Sequence, residues 1–313
     1  MASRLVVLSG PTASGKTALG VLLAQQLGGE VVSADSMQIY RRMDIGTAKP
    51  TAEEMCAIPH HMIDVADPEE DYSVARYVEE ASACVDDIFS RGKVPVVVGG
   101  TGLYIDSLLS GRTFAGGQAD PALRQELSER YDEIGAEGLL GELRKVDPER
   151  AEKLHPADKK RIVRALEVYI LTGKTITQHD AETRRIPPRY DAVRLALDYE
   201  DRADLYARID RRVDLMLQQG LVDEVRALLQ SGVERTCTAM QAIGYKEIVR
   251  ALDGGCSLDE AAEEIRRESR RYAKRQLTWL RRGDYHWLRF QKAPDLEAAR
   301  RASTEYLAAH GVE

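Results

Sequence analysis

The stretch Gly10–Thr17, GPTASGKT, decides how the rest of the chain is read. It lies between an apolar run (Leu5, Val6, Val7, Leu8) and a helical pattern from Ala18 to Leu27, and it fills every fixed position of GxxxxGK[ST]. Glycines at this spacing let successive backbone N–H groups curl around phosphate oxygens, and the N-terminus of the following helix adds its positive dipole end. Gly10, Pro11, Thr12, Ala13, Ser14, Gly15, Lys16 and Thr17 are therefore expected to hold a polyphosphate. Lys16 would neutralise phosphate charge, and the Thr17 hydroxyl would sit on a bound Mg²⁺. The motif leaves open which polyphosphate is held and whether phosphate is the group transferred.

Working outward, 313 residues with 43% hydrophobic and 30% charged composition can bury a full core, with one large domain and a smaller lobe expected. The N-terminus lacks a basic segment followed by an apolar core and cleavage site, and no run approaches membrane-spanning length, so a cytoplasmic protein is expected. Cys56, Cys84, Cys237 and Cys256 form no CxxC or Cys/His cluster, which argues for reduced structural thiols and against a zinc site. A net charge of −7 argues weakly against a nucleic-acid partner, although that average conceals an uneven distribution.

Leu5 to Ser9 and Glu30 to Ser33 read as buried parallel strands, separated by a helix that stops at Gly28 and Gly29. Residues just past the carboxyl ends of such strands face the ligand crevice. Asp35 then lies near the polyphosphate if these two strands are neighbours, as consecutive strands often are; alternatively it caps the next helix. His60 to Asp64 look like a turn into a third strand. Neighbours in an extended chain point to opposite sides, which favours hydrogen-bonded loop histidines over a metal pair at His60 and His61. Ser73 to Arg91 carries a helical pattern, and Val94 to Val98 is the next strand. It ends in Gly99, Gly100, Thr101 and Gly102, where ordinary phosphate-loop nucleotidases place an acidic magnesium ligand. Thr101 can donate to a phosphate oxygen, or the glycines simply make a tight turn.

From about Phe114 the pattern is helical until a strand at about Val193 to Leu197. A helical insertion fits best, and Lys159, Lys160, Arg161 and Arg164 give it a basic face. On the helix Arg202 to Gln219, Arg208 and Arg212 are four apart and share a side, which suits a diphosphate unless they pair with Asp204 or Asp210. The last long helix starts with a capping box, Ser257 to Glu260, and runs to about Arg282. Ile265, Tyr272, Leu277 and Leu280 mark its buried side; Arg266, Arg270 and Lys274 form one basic row, and Arg267, Arg271 and Arg275 a second. Such rows suit a phosphodiester backbone or, more blandly, a solvated face. The fold class expected is α/β, a P-loop NTPase-like parallel sheet flanked by helices with an all-helical insertion domain. Residues 1–113 and 193–313 would form the core and 114–192 the insertion.

Seven collinear stretches resemble the bacterial tRNA dimethylallyltransferases, also called tRNA isopentenyltransferases. They are GPTASGKT (10–17), SADSMQIYRRMDIGTAKP (33–50), IPHHMID (58–64), VVVGGTGLY (96–104), LYARIDRRVDLM (205–216), QAIGYKE (241–247) and RRYAKRQLTWLR (270–281). The resemblance implies transfer of a dimethylallyl group from dimethylallyl diphosphate to N6 of the adenosine just 3′ of the anticodon. The phosphate loop would hold a diphosphate leaving group, and Mg²⁺ would bridge it from Thr17. In that reading Asp35 is the general base, and Thr101, Arg212 and Arg208 complete the catalytic set around the departing diphosphate.

The resemblance also implies tRNA contacts. Asp35, Ser36, Met37, Gln38 and Thr101 would meet the flipped nucleotide and its neighbours. Lys159, Lys160, Arg161, Ile162 and Val163 on the insertion would hold the RNA backbone, as would Gln241, Ala242, Ile243, Gly244, Tyr245 and Lys246. So would Arg270, Arg271, Tyr272, Ala273, Lys274, Arg275, Gln276 and Leu277 on the late helix. The partners expected are the tRNA anticodon stem-loop and dimethylallyl diphosphate, with no membrane, and the protein is expected to be a monomer. Leu280 departs from the family pattern, standing where a bulkier aromatic is expected. A small-molecule kinase, with Asp35 as base toward a hydroxyl, and a nucleotide-switched RNA-binding protein are the alternatives; the first requires ATP turnover and the second nucleotide-dependent RNA affinity.

Overall fold

The apolar run before the phosphate loop forms β1 (Arg4–Ser9), whose last five residues are buried, as a central strand of a parallel sheet requires. The computed structural model describes residues 4–110, 120–183 and 185–312, which fall into two compact units. One is Met1–Leu109 with Tyr190–Glu313, the other Ser110–Arg189. The boundary expected at residues 113 and 114 lies outside the described residues.

In the first unit α1 (Lys16–Gln26) begins within the phosphate loop, after Gly15, whose φ of +92° is a left-handed conformation that glycine adopts without strain. There follow β2 (Glu30–Ala34), the short α2 (Ala52–Met55), the edge strand β3 (His60–His61), α3 (Val74–Ser90), β4 (Pro95–Gly99) and α4 (Gly102–Ser110). The Ser73 hydroxyl accepts the N–H of Arg76 and so starts α3.

The second unit contains α5 (Pro121–Val146), α6 (Pro148–Glu152), α7 (Lys159–Thr172) and α8 (Ile176–Thr183). Asp120 and Asp147 cap the first two with proline at the first helical turn, and Gly173, at φ +71°, closes α7. Its core includes Leu127, Leu139, Leu143, Leu154, Ile162 and Leu166. Fully buried Glu167 is satisfied there by Arg124 and Arg164.

The chain then returns to the first unit as β5 (Asp191–Tyr199), α9 (Arg202–Gln218), α10 (Leu221–Gln230), α11 (Tyr245–Leu252), α12 (Leu258–Leu280), β6 (His286–Phe290) and α13 (Leu296–Ala309). Among the described residues the six strands are all parallel, in the order β3-β2-β4-β1-β5-β6. This is the α/β, P-loop NTPase-like sheet the sequence leads one to expect, with one correction. The first two strands are not neighbours: β4 lies between them, pairing Val97 with Val7 on one side and with Val32 on the other. The crossover through α1 carries the chain one place too far, and the crossover through α3 returns β4 to the gap. In consequence Ser9 and Ala34 both pair with Gly99, and the carboxyl ends of three strands stop level. The edge strand β6 is an addition that the sequence pattern did not announce.

Candidate active site

Because those ends stop level, the phosphate loop, the turn after β2 and the Gly-Gly-Thr-Gly turn after β4 converge on one edge of the sheet, where ligands of open α/β folds bind. The phosphate loop is held from outside by the last third of the chain. Arg208 Nε donates to the carbonyl of Ala13 at 3.0 Å, Arg212 Nη1 to Oγ1 of Thr12 at 3.3 Å, and Gln276 Oε1 accepts the N–H of Thr12 at 2.8 Å. Inside the loop, Lys16 Nζ donates to the carbonyl of Pro11 at 2.7 Å. The buried Ser14 hydroxyl has no partner among the described residues.

Two cations are crowded here. Burial, and after it the neighbouring charge of Arg212, pulls the Lys16 ammonium down to about 7, with Asp35 acting the other way. Burial also lowers Arg212, again opposed first by Asp35. Arg208 adds to the lowering of Arg212, and buried cations held below their ordinary values by burial and like charge are ones that an anion would relieve.

Lys16, Thr17, Asp35 and Arg212 line a single cavity of about 490 Å³. Its wall also carries the apolar side chains of Ile63, Ile209, Val213, Met216 and Ile265, so a ligand with an anionic head and a small apolar tail finds both environments. Asp35 Oδ1 accepts the N–H of Met37 at 2.9 Å, a local turn that fixes the carboxylate on the wall. Thr101 and Arg208 are not among the residues that line the cavity. Thr101 Oγ1 accepts the N–H of Ser36 at 3.0 Å and so braces the turn that carries Asp35.

Several residues expected to meet RNA come together on the same cavity: Ser36, Met37, Gln38, Gln241, Ala242, Ile243, Lys246, Tyr272, Arg275 and Gln276. Others are engaged within the fold. Tyr245, Ala273 and Leu277 are buried, and Gly244, at φ +100°, caps α11. Gln38 Nε2 donates to the carbonyl of Ala48 at 3.2 Å, tying down the loop at 43–50.

The basic rows of α12 divide in the same way. Arg270 pairs with Asp210 at 2.7 Å and Arg266 with Asp214, both on α9, while Arg271 pairs with Glu268 at 2.6 Å. Lys274 and Arg275 are exposed, and among the described residues neither has an acidic partner. In the second unit, Lys159 pairs with Asp132 at 2.7 Å, Lys160 and Arg161 are exposed, and Ile162 and Val163 lie in that unit's core. Periodicity shows which residues share a helix face but not what the face meets, so these pairings could not be read beforehand.

His60 and His61 point apart in β3. His60 Nδ1 donates to the carbonyl of Ile58 at 2.8 Å and its ring reaches the cavity wall, whereas His61 Nε2 lies 2.8 Å from Glu30. Among the described residues no group of three or more His, Cys, Asp or Glu side chains could hold a metal ion.

A family model described as IPP transferase matches residues 38–283, and another described as isopentenyl transferase matches residues 3–65. A protein of Caldanaerobacter subterraneus subsp. tengcongensis named tRNA dimethylallyltransferase is 48% identical over 310 residues, 98% of each chain. The chain belongs to the tRNA dimethylallyltransferase family. A tRNA dimethylallyltransferase of Geobacter sulfurreducens is 50% identical over 280 residues, 90% of this chain and 89% of that one. The solved tRNA isopentenylpyrophosphate transferase of Bacillus halodurans matches with a TM-score of 0.74 at 42% identity, over 98% of this chain and 96% of that one. A eukaryotic dimethylallyltransferase acting on tRNA matches with a TM-score of 0.82 at 31% identity, over the whole of this chain and 81% of its own.

Proposed function

We propose that this member of the family transfers the dimethylallyl group of dimethylallyl diphosphate to N6 of the adenosine 3′-adjacent to the anticodon in tRNA. The observation that carries the chemistry is that Asp35 and the Lys16–Arg212 pair face one cavity. An adenine amino group is a poor nucleophile because its lone pair is delocalised into the ring. As N6 attacks the allylic carbon, the carbon–oxygen bond to diphosphate breaks and the N6 proton passes to the Asp35 carboxylate, a role worth roughly 10² to 10⁴ in rate. Negative charge collects on the departing diphosphate, where Lys16, Arg212 and the loop N–H groups offer fixed positive potential. Apolar side chains around the tail exclude water that would otherwise take the carbocation-like carbon.

Mg²⁺ fits as a guest of the substrate. Thr17 is the hydroxyl on the wall beside Lys16, and an ion held by Thr17, diphosphate oxygens and water has the ligand set magnesium favours. When bound it would act as a Lewis acid toward the leaving group.

The target base must leave the anticodon loop to reach Asp35. Lys274 and Arg275, exposed and without an acidic partner among the described residues, Arg275 over the ring of the cavity residue Tyr272, support a path for the RNA backbone along α12; exposed Lys160 and Arg161 are further candidates. A monomer is the working unit of this reading. Among the described residues no helix is long and apolar enough to cross a membrane, and a tRNA substrate supports a cytoplasmic site of action. Incubating the protein with undermodified tRNA and labelled dimethylallyl diphosphate, with and without Mg²⁺, tests the reading. Label on tRNA in the absence of nucleotide is the expected result; ATP consumption with unlabelled tRNA would favour a kinase.

A further inference from the structure

The resemblance places Gln276 in a stretch that holds RNA, yet its side chain is 6% exposed and both ends of its amide are used inside the fold. Oε1 accepts the backbone N–H of Thr12 at 2.8 Å in the phosphate loop, and Nε2 donates to the carbonyl of Gly100 at 3.0 Å in the turn after β4. The fit is close: a Cβ placed on Gly100 would come within 2.1 Å of Nε2. Bridging an N–H and a C=O that belong to two different loops needs one side chain with an acceptor and a donor side by side, which a carboxamide supplies.

We infer that Gln276 is a positioning residue for the diphosphate: it locks the phosphate loop to the turn after β4 and so fixes where the loop's N–H groups aim. It does not read RNA. The inference rests on the diphosphate site proposed above, and it acts through Thr12, whose hydroxyl also receives Arg212. Without the amide, the Thr12 N–H and the Gly100 carbonyl lose their partners and the loop loses the tie that orients it.

The test measures the affinity of inorganic pyrophosphate and of an anticodon stem-loop RNA separately, alongside KM and kcat for transfer. Gln276→Met, which keeps the shape and removes both hydrogen bonds, should weaken pyrophosphate and raise KM for dimethylallyl diphosphate about tenfold. RNA affinity should stay within about twofold, and kcat should fall less than KM rises. Gln276→Glu keeps an acceptor for Thr12 but sets a carboxylate oxygen against the Gly100 carbonyl and adds negative charge beside the loop, so it should weaken pyrophosphate at least as much as Gln276→Met. Gly100→Ala displaces the amide from its other end and should reproduce the Gln276→Met pattern, which keeps the inference testable if the methionine variant does not fold. Weaker RNA binding with pyrophosphate affinity unchanged would make Gln276 an RNA contact and overturn the assignment, as would no change in either ligand. A wild-type protein that binds pyrophosphate but labels no tRNA would instead count against the proposed reaction and leave this assignment standing.

Discussion

The Glu224 carboxylate accepts the hydroxyl of Tyr245 at 2.6 Å, and the same carboxylate receives the backbone N–H groups of Asp44, Ile45 and Gly46 at 2.8, 2.8 and 3.1 Å. Tyr245 is fully buried, and its ring passes so close that a Cβ on Gly46 would stand 2.4 Å from Cε2. The loop so held contributes Gly46, Thr47 and Pro50 to the cavity wall, and the segment leading to Tyr245 contributes Gln241, Ala242 and Ile243. One acidic side chain on α10 therefore joins two walls of the active site.

Removing that carboxylate should be expensive. Glu224→Ala leaves the Tyr245 hydroxyl and the loop N–H groups without their acceptor and should destabilise the protein by about 2–3 kcal/mol in chemical denaturation. Glu224→Gln, which retains one acceptor oxygen, should cost about half as much. A loss below about 0.5 kcal/mol for the alanine variant would show that the loop is held without Glu224.

The division of the α12 arginines predicts a division in RNA binding. Lys274→Ala and Arg275→Ala should each weaken anticodon stem-loop binding and reduce the slope of log K against log salt by about 1, the signature of one lost phosphate contact. Arg270 already faces Asp210, so Arg270→Met should leave the slope unchanged and cost about 1 kcal/mol of stability or less, as a half-exposed ion pair does. Equal changes in slope for Arg270→Met and Lys274→Ala would mean that RNA displaces the Asp210 pair.

How much of this was legible beforehand follows from what each signal depends on. The phosphate loop, its strand and its helix are local, so GPTASGKT placed them correctly. Asp35 was placed at a strand end facing the crevice, and it does face the cavity, but through a premise that fails, since β4 separates β1 from β2. The level strand ends, not direct pairing, bring it there. Strand β6, HWLRF, is short and carries two half-buried residues at its start, so neither alternation nor a continuous apolar run marks it. Glu224 sits in an ordinary amphipathic helix and belongs to no motif; its loop partners Asp44, Ile45 and Gly46 are about 180 residues away in sequence, and only the fold brings them together. Gln276 was legible as part of a family stretch, but its neighbours were not.

Asp35→Asn should retain RNA binding within about twofold and lose transfer by roughly 10² to 10⁴, because it keeps the shape and the bond to Met37 while removing the proton acceptor. Single-turnover transfer and RNA binding measured on the same preparation separate the two effects. A loss of RNA affinity as large as the loss of rate would make Asp35 chiefly a contact for the nucleotide.

The depressed Lys16 predicts a pH dependence whose sign can be worked out. In the free protein, burial and Arg212 hold Lys16 near 7 against the restoring influence of Asp35, so above that pH the side chain is largely neutral. A bound diphosphate favours the ammonium and pulls the group back up. Binding above pH 7 must then take up a proton, and pyrophosphate affinity should fall as pH rises, approaching tenfold per unit while the complex keeps Lys16 charged. For the free protein the sign is opposite: between about 7 and the ordinary lysine value of 10.5 the unfolded chain binds more protons, so this group makes folding more favourable as pH rises. Calorimetry of pyrophosphate binding at pH 8 in buffers of different ionisation enthalpy should register an uptake approaching one proton. Lys16→Met, which leaves only the protons of the ligand itself, should abolish that excess. Arg212→Met removes the like charge and should shift the onset of uptake to higher pH. Equal proton uptake by wild type and Lys16→Met at pH 8 would mean that Lys16 is already charged before the anion arrives, and that Arg212 and burial do not set its protonation.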